Sequence, residues 1–284
     1  MDLIFGVSGH LKLDSLAKDE IETCHIRFCR FALGVSKKAP NIGILGETGR
    51  YPLAIESVIN TVKYWHRLQK VHESSLIHKA YKEMKHANSE NSWYGAVESL
   101  LTKSNITCDI AIKHLIKSIK AELQGQFLTF WKNKLFDDRN KPNGNKLRSY
   151  RSYKNTFQQE EYLTLRSKVQ RGDFSRLRLS AHKLQIEIGR YGKKGERKDP
   201  QDRLCLHCVN NECEDEFHFV MKCTLYEDLR TNLFTYVRSK FPVFNDYNED
   251  TQFIWLMSNL DPDVINVFTN YVHTCFTKRR NDTT

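Results

Sequence analysis

Apolar side chains in the first half of the chain recur with the spacing of amphipathic helices. The clearest apolar stripe follows Leu53 and consists of Ile55, Val58, Ile59, Val62, Trp65 and Leu68. A second stripe, within residues 106–135, consists of Ile110, Leu115, Ile116, Ile119, Leu123, Phe127 and Trp131, on one helix or on two that meet near Gly125. No long segment alternates with period two, so the pattern predicts an all-α first half.

Shorter helices are predicted around these two. Ser15 is placed to cap a helix that ends near Gly34 and whose apolar positions are Leu16, Ile21, Cys24, Phe28 and Phe31. We read these apolar positions as part of the core. Pro52 suits the first turn of the helix that follows it, and two further short helices are expected at residues 76–84 and from Trp93 onward.

A cluster of Pro, Gly and Asn at residues 142–145 marks a boundary. Beyond it, residues 158–169 and 174–188 are predicted to be helical, and two more helices are expected toward the C-terminus. We therefore predict a mainly α fold with three segments: a helical region at residues 1–138, a basic helical or linker segment at 139–203, and a small zinc-stabilised module with helices at 204–284.

The charge of the chain is concentrated in the middle segment. The 284 residues have a formal net charge of +10, and 40% of them are hydrophobic, enough to bury a core. The local balance is +4 for residues 1–138, +11 for 139–203 and −5 for 204–284. No secretory leader or long apolar run is evident, which predicts an intracellular protein, nuclear or cytoplasmic, with reduced thiols and no membrane partner.

Basic residues interleaved with tyrosines in the middle segment are typical of nucleic-acid binding, because cations neutralise phosphates while rings stack on exposed bases. The competing interpretation is a solvated basic face or a loose linker. On the first interpretation, the residues expected to contact RNA or DNA are Arg148, Arg151, Arg176, Arg178, Arg190, Lys193, Lys194, Arg197 and Lys198.

Four soft metal ligands follow directly after this basic segment. Cys205-Leu-His-Cys208, His218 and Cys223 have the spacing C-x2-C-x9-H-x4-C, which we call the CCHC cluster. A C-x2-C turn lets two thiolates reach one ion, and four protein ligands close a tetrahedral Zn²⁺ site, which then stabilises the fold instead of catalysing a reaction. One alternative stays open, that Cys213 or His207 replaces one ligand. A redox role for the C-x2-C pair would need a thioredoxin-like βαβ context, which the surrounding sequence does not show.

Several ordered pieces of the sequence together resemble a known protein family. Cys205-Leu-His-Cys208, Glu214-Asp-Glu216, His218-Phe219 and Cys223, with the preceding run 175–190, resemble the C-terminal zinc-binding segment of animal non-LTR (LINE-type) retrotransposon reverse-transcriptase polyproteins. Residues 28–41 and 46–53 are similar to the linker that follows the polymerase domain there. The resemblance implies that the CCHC residues bind the metal and that the segment helps to bind the element's RNA or its target DNA.

Catalytic motifs of such polyproteins are not evident in this sequence. A polymerase needs paired carboxylates in a strand hairpin to hold two metal ions, but the Asp137-Asp138 pair has no apolar strand on either side. Neither an endonuclease-like cluster nor a nucleotide-binding or hydrolase motif is present. We therefore expect a non-enzymatic protein without a small-molecule substrate.

The sequence leaves different classes of function open. The favoured class is a zinc-dependent nucleic-acid-binding module. The alternative is a protein-interaction module in which zinc stabilises a helical platform and the acidic last segment binds a basic partner. A third interpretation is a decayed retroelement remnant without a cellular role.

Overall fold

The computed structural model describes residues 19–87, 92–103, 112–138, 144–191 and 197–282, and most of these residues are helical. In the described ranges, twelve α-helices are found: α1 (Glu20–Leu33), α2 (Asn41–Thr48), α3 (Leu53–Leu68), α4 (Leu76–Ala87), α5 (Trp93–Lys103), α6 (Ile112–Phe136), α7 (Tyr150–Tyr153), α8 (Lys168–Arg178), α9 (Gln185–Ile188), α10 (Glu227–Lys240), α11 (Glu249–Ser258) and α12 (Pro262–Asp282). The predicted mainly α fold class is confirmed.

Short segments of other helical types connect them. They are the 3₁₀ turns Glu161–Thr164, Pro200–Asp202, Thr224–Tyr226 and Pro242–Asp246, and the π-helical turn His218–Lys222. Pairing of extended backbone is limited, in the described ranges, to two isolated antiparallel bridges, Thr48 with Gln159 and Leu204 with Cys213. None of the described helices is both long and apolar enough to cross a membrane.

The chain forms two compact units that are not consecutive in sequence. Of the described residues, those within 1–25 and 51–133 form the smaller unit, and those within 26–50 and 134–284 form the larger unit. Helices α1 and α6 each contribute residues to both units. This division differs from the three consecutive segments that composition and charge predict, because residues 26–50 belong with the C-terminal part of the chain.

In the smaller unit, most of the apolar stripe predicted for α3 is buried: Ile55, Val58, Ile59, Val62 and Leu68 are shielded from solvent, and Trp65 is partly buried. The α6 stripe includes Phe127, whose ring meets Tyr51 edge to face with the centroids 5.8 Å apart. A buried carboxylate caps α3, because Glu22 Oε1 accepts a 2.9 Å hydrogen bond from the Ala54 N–H. Helix α6 is continuous through Gly125, while the preceding residues 106–111 and Cys108 lie outside the described residues.

In the larger unit, α12 packs along α8 and also against α10. The rings of Phe174 on α8 and Phe268 on α12 meet edge to face, with centroids 5.4 Å apart. Phe276 on α12 stacks on Phe219 of the π-helical turn at 4.7 Å. The C-terminal helix is therefore the core element onto which the cysteine-rich segment packs.

A fully buried guanidinium lies at the centre of the larger unit. Arg178 donates two 2.9 Å hydrogen bonds to the carboxylate of Glu47, and Glu160 Oε2 lies 2.9 Å away. The Arg178 Cζ lies within 5.9 Å of the ring centroids of Tyr150, Tyr153, Tyr162 and Phe174. We call Arg178, Glu47, Glu160 and these four rings the Arg178 centre.

Two sequence-based predictions are wrong in this unit. Residues 158–169 are not one helix: Gln159 bridges Thr48 in extended conformation, and Ser167 caps α8 by accepting from the Gln170 N–H at 3.3 Å. Residues 174–188 are not continuous either, because α8 ends at Arg178 and Ser180 follows with a positive φ of 49°. Local backbone pairing and capping outweigh the helical spacing of the apolar residues there.

Most of the apolar residues that were predicted to form the buried face of α1 are exposed. Ile26, Cys29 and Leu33 form the buried side. Ile21, Phe28 and Phe31 are exposed by 60, 56 and 71% of their surface, and Cys24 is exposed as well. The buried and exposed sets both have helical spacing, so the hydrophobic pattern alone could not select between them.

Candidate metal centre

A short hairpin presents the first two cysteines of the CCHC cluster. Its arms pair through two 2.9 Å backbone hydrogen bonds, from Cys205 to Glu212 and from Glu214 to Arg203. Within the turn, the His207 N–H points to Cys205 Sγ at 3.5 Å. Cys205 and Cys208 are thereby held on one side of a compact loop, as the C-x2-C spacing predicts.

The other two residues of the cluster lie at the two ends of the π-helical turn His218–Lys222: His218 is its first residue and Cys223 follows its last. Its wider hydrogen-bonding pattern is closed by the Cys223 N–H, which donates to the His218 carbonyl at 2.8 Å. Asp215 Oδ1 accepts from the His218 N–H at 2.8 Å and so caps the start of the turn. The turn brings an imidazole and a thiol, five positions apart in sequence, to the same place.

Two distances between the ligand atoms are close to those of a tetrahedral site. Metal–sulfur bonds of about 2.3 Å put two sulfurs about 3.8 Å apart, and a sulfur and an imidazole nitrogen about 3.6 Å apart. Cys205 Sγ lies 3.9 Å from Cys223 Sγ, and Cys208 Sγ lies 3.4 Å from His218 Nε2. All four ligand atoms lie within 4.8 Å of one another. The cluster is therefore compatible with a metal site, although its geometry does not identify the metal.

Hydrogen bonds between the side chains of the cluster shift their pKa values. The hydrogen bond with Cys223, together with burial, raises the pKa of the Cys205 thiol to about 12, and the same hydrogen bond lowers the pKa of Cys223. Burial acts to lower the pKa of His218, but hydrogen bonds with Cys205 and Glu212 outweigh it and raise that pKa to about 9. Without a metal the cluster retains protons that a bound cation would displace.

A carboxylate orients the histidine of the cluster. Glu212 Oε2 lies 2.9 Å from His218 Nδ1, which leaves Nε2 directed at Cys208 Sγ. Such a carboxylate fixes the tautomer and the ring orientation of a metal-ligating histidine. Sequence reasoning did not assign a role to Glu212. Its position on the hairpin arm opposite Cys205 becomes evident only once the register of the arms is known.

The acidic residues 214–216 anchor the cluster to the rest of the larger unit. Glu214 forms a bidentate ion pair with Arg279 of α12 and accepts from the Gln185 N–H at 2.8 Å. Glu216 is fully buried and accepts from Arg148 at 2.8 and 2.9 Å and from His182 at 2.9 Å. Burial acts to raise the pKa of Glu216, but Arg148 and His182 hold it well below its ordinary value. These carboxylates thus fix the hairpin to the helices around it.

The two alternative ligands lie outside the cluster. Cys213 donates a 3.2 Å hydrogen bond to the Pro200 carbonyl, and burial raises the pKa of its thiol to about 11. His207 Nδ1 pairs with the carboxylate of Asp282 at the end of α12. The geometry therefore favours the four residues of the original cluster.

Most of the arginines predicted to contact nucleic acid make ion pairs within the chain. Arg178 and Arg190 are buried, and Arg190 pairs with Glu187 at 2.9 Å. Their burial corrects the prediction that these two residues contact nucleic acid. Arg148, Arg151 and Arg176 retain partial exposure but pair with carboxylates of Glu187 and Glu216, of Asp138, and of Asp173, respectively.

Two of the predicted cations remain on the surface beside the hairpin. Arg197 and Lys198 are exposed, and Lys193 and Lys194 lie outside the described residues. The backbone of Lys198 is held in place, because its N–H donates to Gly189 and its carbonyl accepts from the buried Arg203 side chain at 3.0 and 2.9 Å.

No protein-family model, curated protein or solved structure matches this chain.

Proposed function

We propose that the CCHC cluster binds one Zn²⁺ ion and that the chain is a non-catalytic module that binds RNA or DNA. The convergence of the four ligand atoms within 4.8 Å, with two of their distances close to tetrahedral values, supports the metal. Three thiols and an imidazole form a closed, soft ligand set that suits structural zinc. The resemblance to the zinc-binding segment of LINE-type polyproteins agrees with this proposal.

Charge supports a polyanionic partner. The net charge of +10 is concentrated in residues 139–203, and carboxylates of the chain pair with only some of the cations there. Arg197 and Lys198 are exposed just before the hairpin, and Arg203 holds the Lys198 backbone. The zinc-bound hairpin would keep these cations in a fixed position for phosphates.

Metal content tests the zinc part of this proposal. About one zinc per chain is expected for the purified full chain and for Cys213→Ser, with loss of the metal in Cys208→Ser. Cys213 is the matched control because it lies in the same hairpin but outside the cluster. A folded wild-type chain that contains no zinc after purification in zinc-supplemented medium would contradict the proposal.

Binding at several salt concentrations tests the nucleic-acid part. Affinity for RNA and DNA oligonucleotides should fall steeply with salt, and Arg197→Gln/Lys198→Gln should reduce the logarithmic salt slope by about 0.7 to 0.9 for each lost phosphate contact. The control Arg238→Gln/Lys240→Gln removes the same charge from α10 and should leave the slope unchanged. Equal effects of both pairs would contradict a specific role for the residues beside the hairpin.

Exposed apolar residues on the hairpin support the second candidate, a protein-interaction module. Leu206 and Val209 are exposed by 72 and 89%. Leu206 also lines a cleft of about 640 Å³ together with Ile188 and Phe276. If Arg197→Gln/Lys198→Gln leaves nucleic-acid affinity unchanged while Leu206→Ser abolishes association with a basic protein partner, the second function replaces the first.

A further inference from the structure

The exposed face of α1 lies beside a basic groove. None of the residues that the sequence predicts to contact nucleic acid lines this groove. Phe28 and Phe31 are more than half exposed, at 56 and 71%, whereas Cys29 and Leu33 of the same helix are buried. The two rings line a groove of about 430 Å³ with Arg50, Lys168 and Arg171. Exposed apolar groups that are bordered by polar ones commonly mark an interaction surface.

The charge in this groove is of one sign. Its lining contains three cations and no carboxylate, and no carboxylate of the described residues forms a salt bridge with Arg50, Lys168 or Arg171. The Lys168 Nζ lies 4.7 Å from the ring centroid of Phe31, and the Arg50 Cζ lies 5.5 Å from that of Phe28. Each aromatic ring therefore has a cation next to it. The groove cations differ in this respect from Arg148, Arg151 and Arg176, which pair with carboxylates.

The walls of the groove are fixed to each other. Thr48 bridges Gln159, and the Glu160 N–H donates to the Glu47 carbonyl at 3.0 Å. Gly49 makes this approach feasible: its φ is +60°, and a Cβ there would lie 2.4 Å from the Gln159 nitrogen. A preformed groove loses little conformational entropy when it binds a partner.

We infer that this groove binds single-stranded nucleic acid, with Phe28 and Phe31 stacking on unpaired bases and with Arg50, Lys168 and Arg171 contacting phosphates. Surfaces that combine aromatic platforms with cations bind single strands with little sequence preference. In a duplex the bases are stacked on each other and their faces are not available to the rings. The inference rests on the proposed function and adds a surface separate from the CCHC cluster and a preference for unpaired strands.

Paired binding measurements on the full, zinc-loaded chain test the inference. The probes are an oligouridylate and an oligothymidylate of about 12 nucleotides and a mixed-sequence duplex of equal length. Phe28→Ala and Phe31→Ala should each weaken single-strand binding by about fivefold or more, with little change for the duplex. Phe31→Trp should retain the affinity, because an indole also stacks. Both rings are exposed, so thermal unfolding should be nearly unchanged.

The cations have a matched control. Lys168→Glu should weaken single-strand binding, and Lys168→Gln should reduce the logarithmic salt slope by about 0.7. Arg238→Glu makes an equal charge change beside another ring, since the Arg238 Cζ lies 5.2 Å from the Phe234 centroid, and it should have no specific effect. Equal losses in Lys168→Glu and Arg238→Glu would overturn the assignment of the phosphate contacts.

The remaining outcomes separate the inference from the proposed function. If the wild-type chain binds the oligonucleotides and Phe28→Ala/Phe31→Ala binds them equally well, the groove is not the site, although the proposed function stands. If the wild type binds neither single strands nor duplex at low salt, both are wrong. If polyglutamate displaces the oligonucleotide at equal charge concentration, the groove binds acidic peptides and the inference is overturned.

Discussion

The Arg178 centre and the CCHC cluster both place polar groups in the interior of the larger unit, but they differ in how those groups are satisfied. Arg178 has its counterions, Glu47 and Glu160, in the chain itself, and four rings surround its guanidinium. The CCHC cluster brings three sulfurs and an imidazole nitrogen within 4.8 Å of one another. A self-contained charge cluster indicates a structural role, whereas converging electron-pair donors indicate a site for an external cation.

The largest expected effect comes from breaking the self-contained centre. Arg178→Met leaves the buried Glu47 carboxylate without its main partner, and the free energy of unfolding should fall by about 3 to 5 kcal/mol. Urea unfolding at neutral pH measures the change. Glu47→Leu/Arg178→Met removes both charges and should recover much of the loss. A single variant that loses less than about 1 kcal/mol would remove the distinction between the two centres.

Acid should weaken the same centre. Burial acts to raise the pKa of Glu47, but the charge and hydrogen bonds of Arg178 outweigh it, so that the pKa lies below its ordinary value of 4.5. A carboxyl whose pKa is lower in the folded state contributes stability that is fully present above its unfolded-state pKa and is lost as the pH falls through the folded-state pKa.

The Glu47 contribution can be isolated by comparing variants. Urea unfolding from pH 7 into the range below 4.5 should show the wild type losing stability faster than Glu47→Leu/Arg178→Met, which lacks this carboxyl. Parallel pH profiles for the two proteins would show that acid sensitivity arises elsewhere.

A smaller effect is expected at the CCHC cluster when only the orientation of a ligand is disturbed. Glu212→Gln keeps an oxygen near His218 Nδ1 but removes the charge, and metal affinity should fall by about 10- to 100-fold. Competition with a chromophoric chelator measures the affinity. Glu249→Gln, which affects only an exposed ion pair with Lys222, is the control. Unchanged affinity in Glu212→Gln would mean that the backbone alone positions His218.

Local sequence patterns were sufficient to predict features whose residues lie close together in the sequence. The stripe of α3 is buried as its spacing predicts, and the CCHC residues lie within one short segment whose ligand spacing is informative by itself. For α1, however, two helical stripes fit the same sequence, and only tertiary packing selects Ile26, Cys29 and Leu33 for the core. The exposed rings of Phe28 and Phe31 were therefore taken for core residues.

Charge patterns failed where partners are distant in sequence. Arg178 pairs with Glu47 across 131 positions, and Arg148 pairs with Glu216 across 68. A count of basic residues in the middle segment cannot detect carboxylates that approach from α2 or from the cysteine-rich hairpin. The sequence therefore predicted the convergence of the four CCHC side chains better than the exposure of the basic residues.

The discontinuous composition of the larger unit limits how the chain can be dissected. A fragment of residues 204–284 retains all four CCHC residues but discards Arg148 and Gln185, so that the buried Glu216 and Glu214 lose partners. A fragment of residues 139–284 still lacks Glu47, which belongs to residues 26–50. Excised pieces would thus misfold for reasons unrelated to metal or partner, and proteolytic trimming should be tolerated only where it spares both parts of this unit.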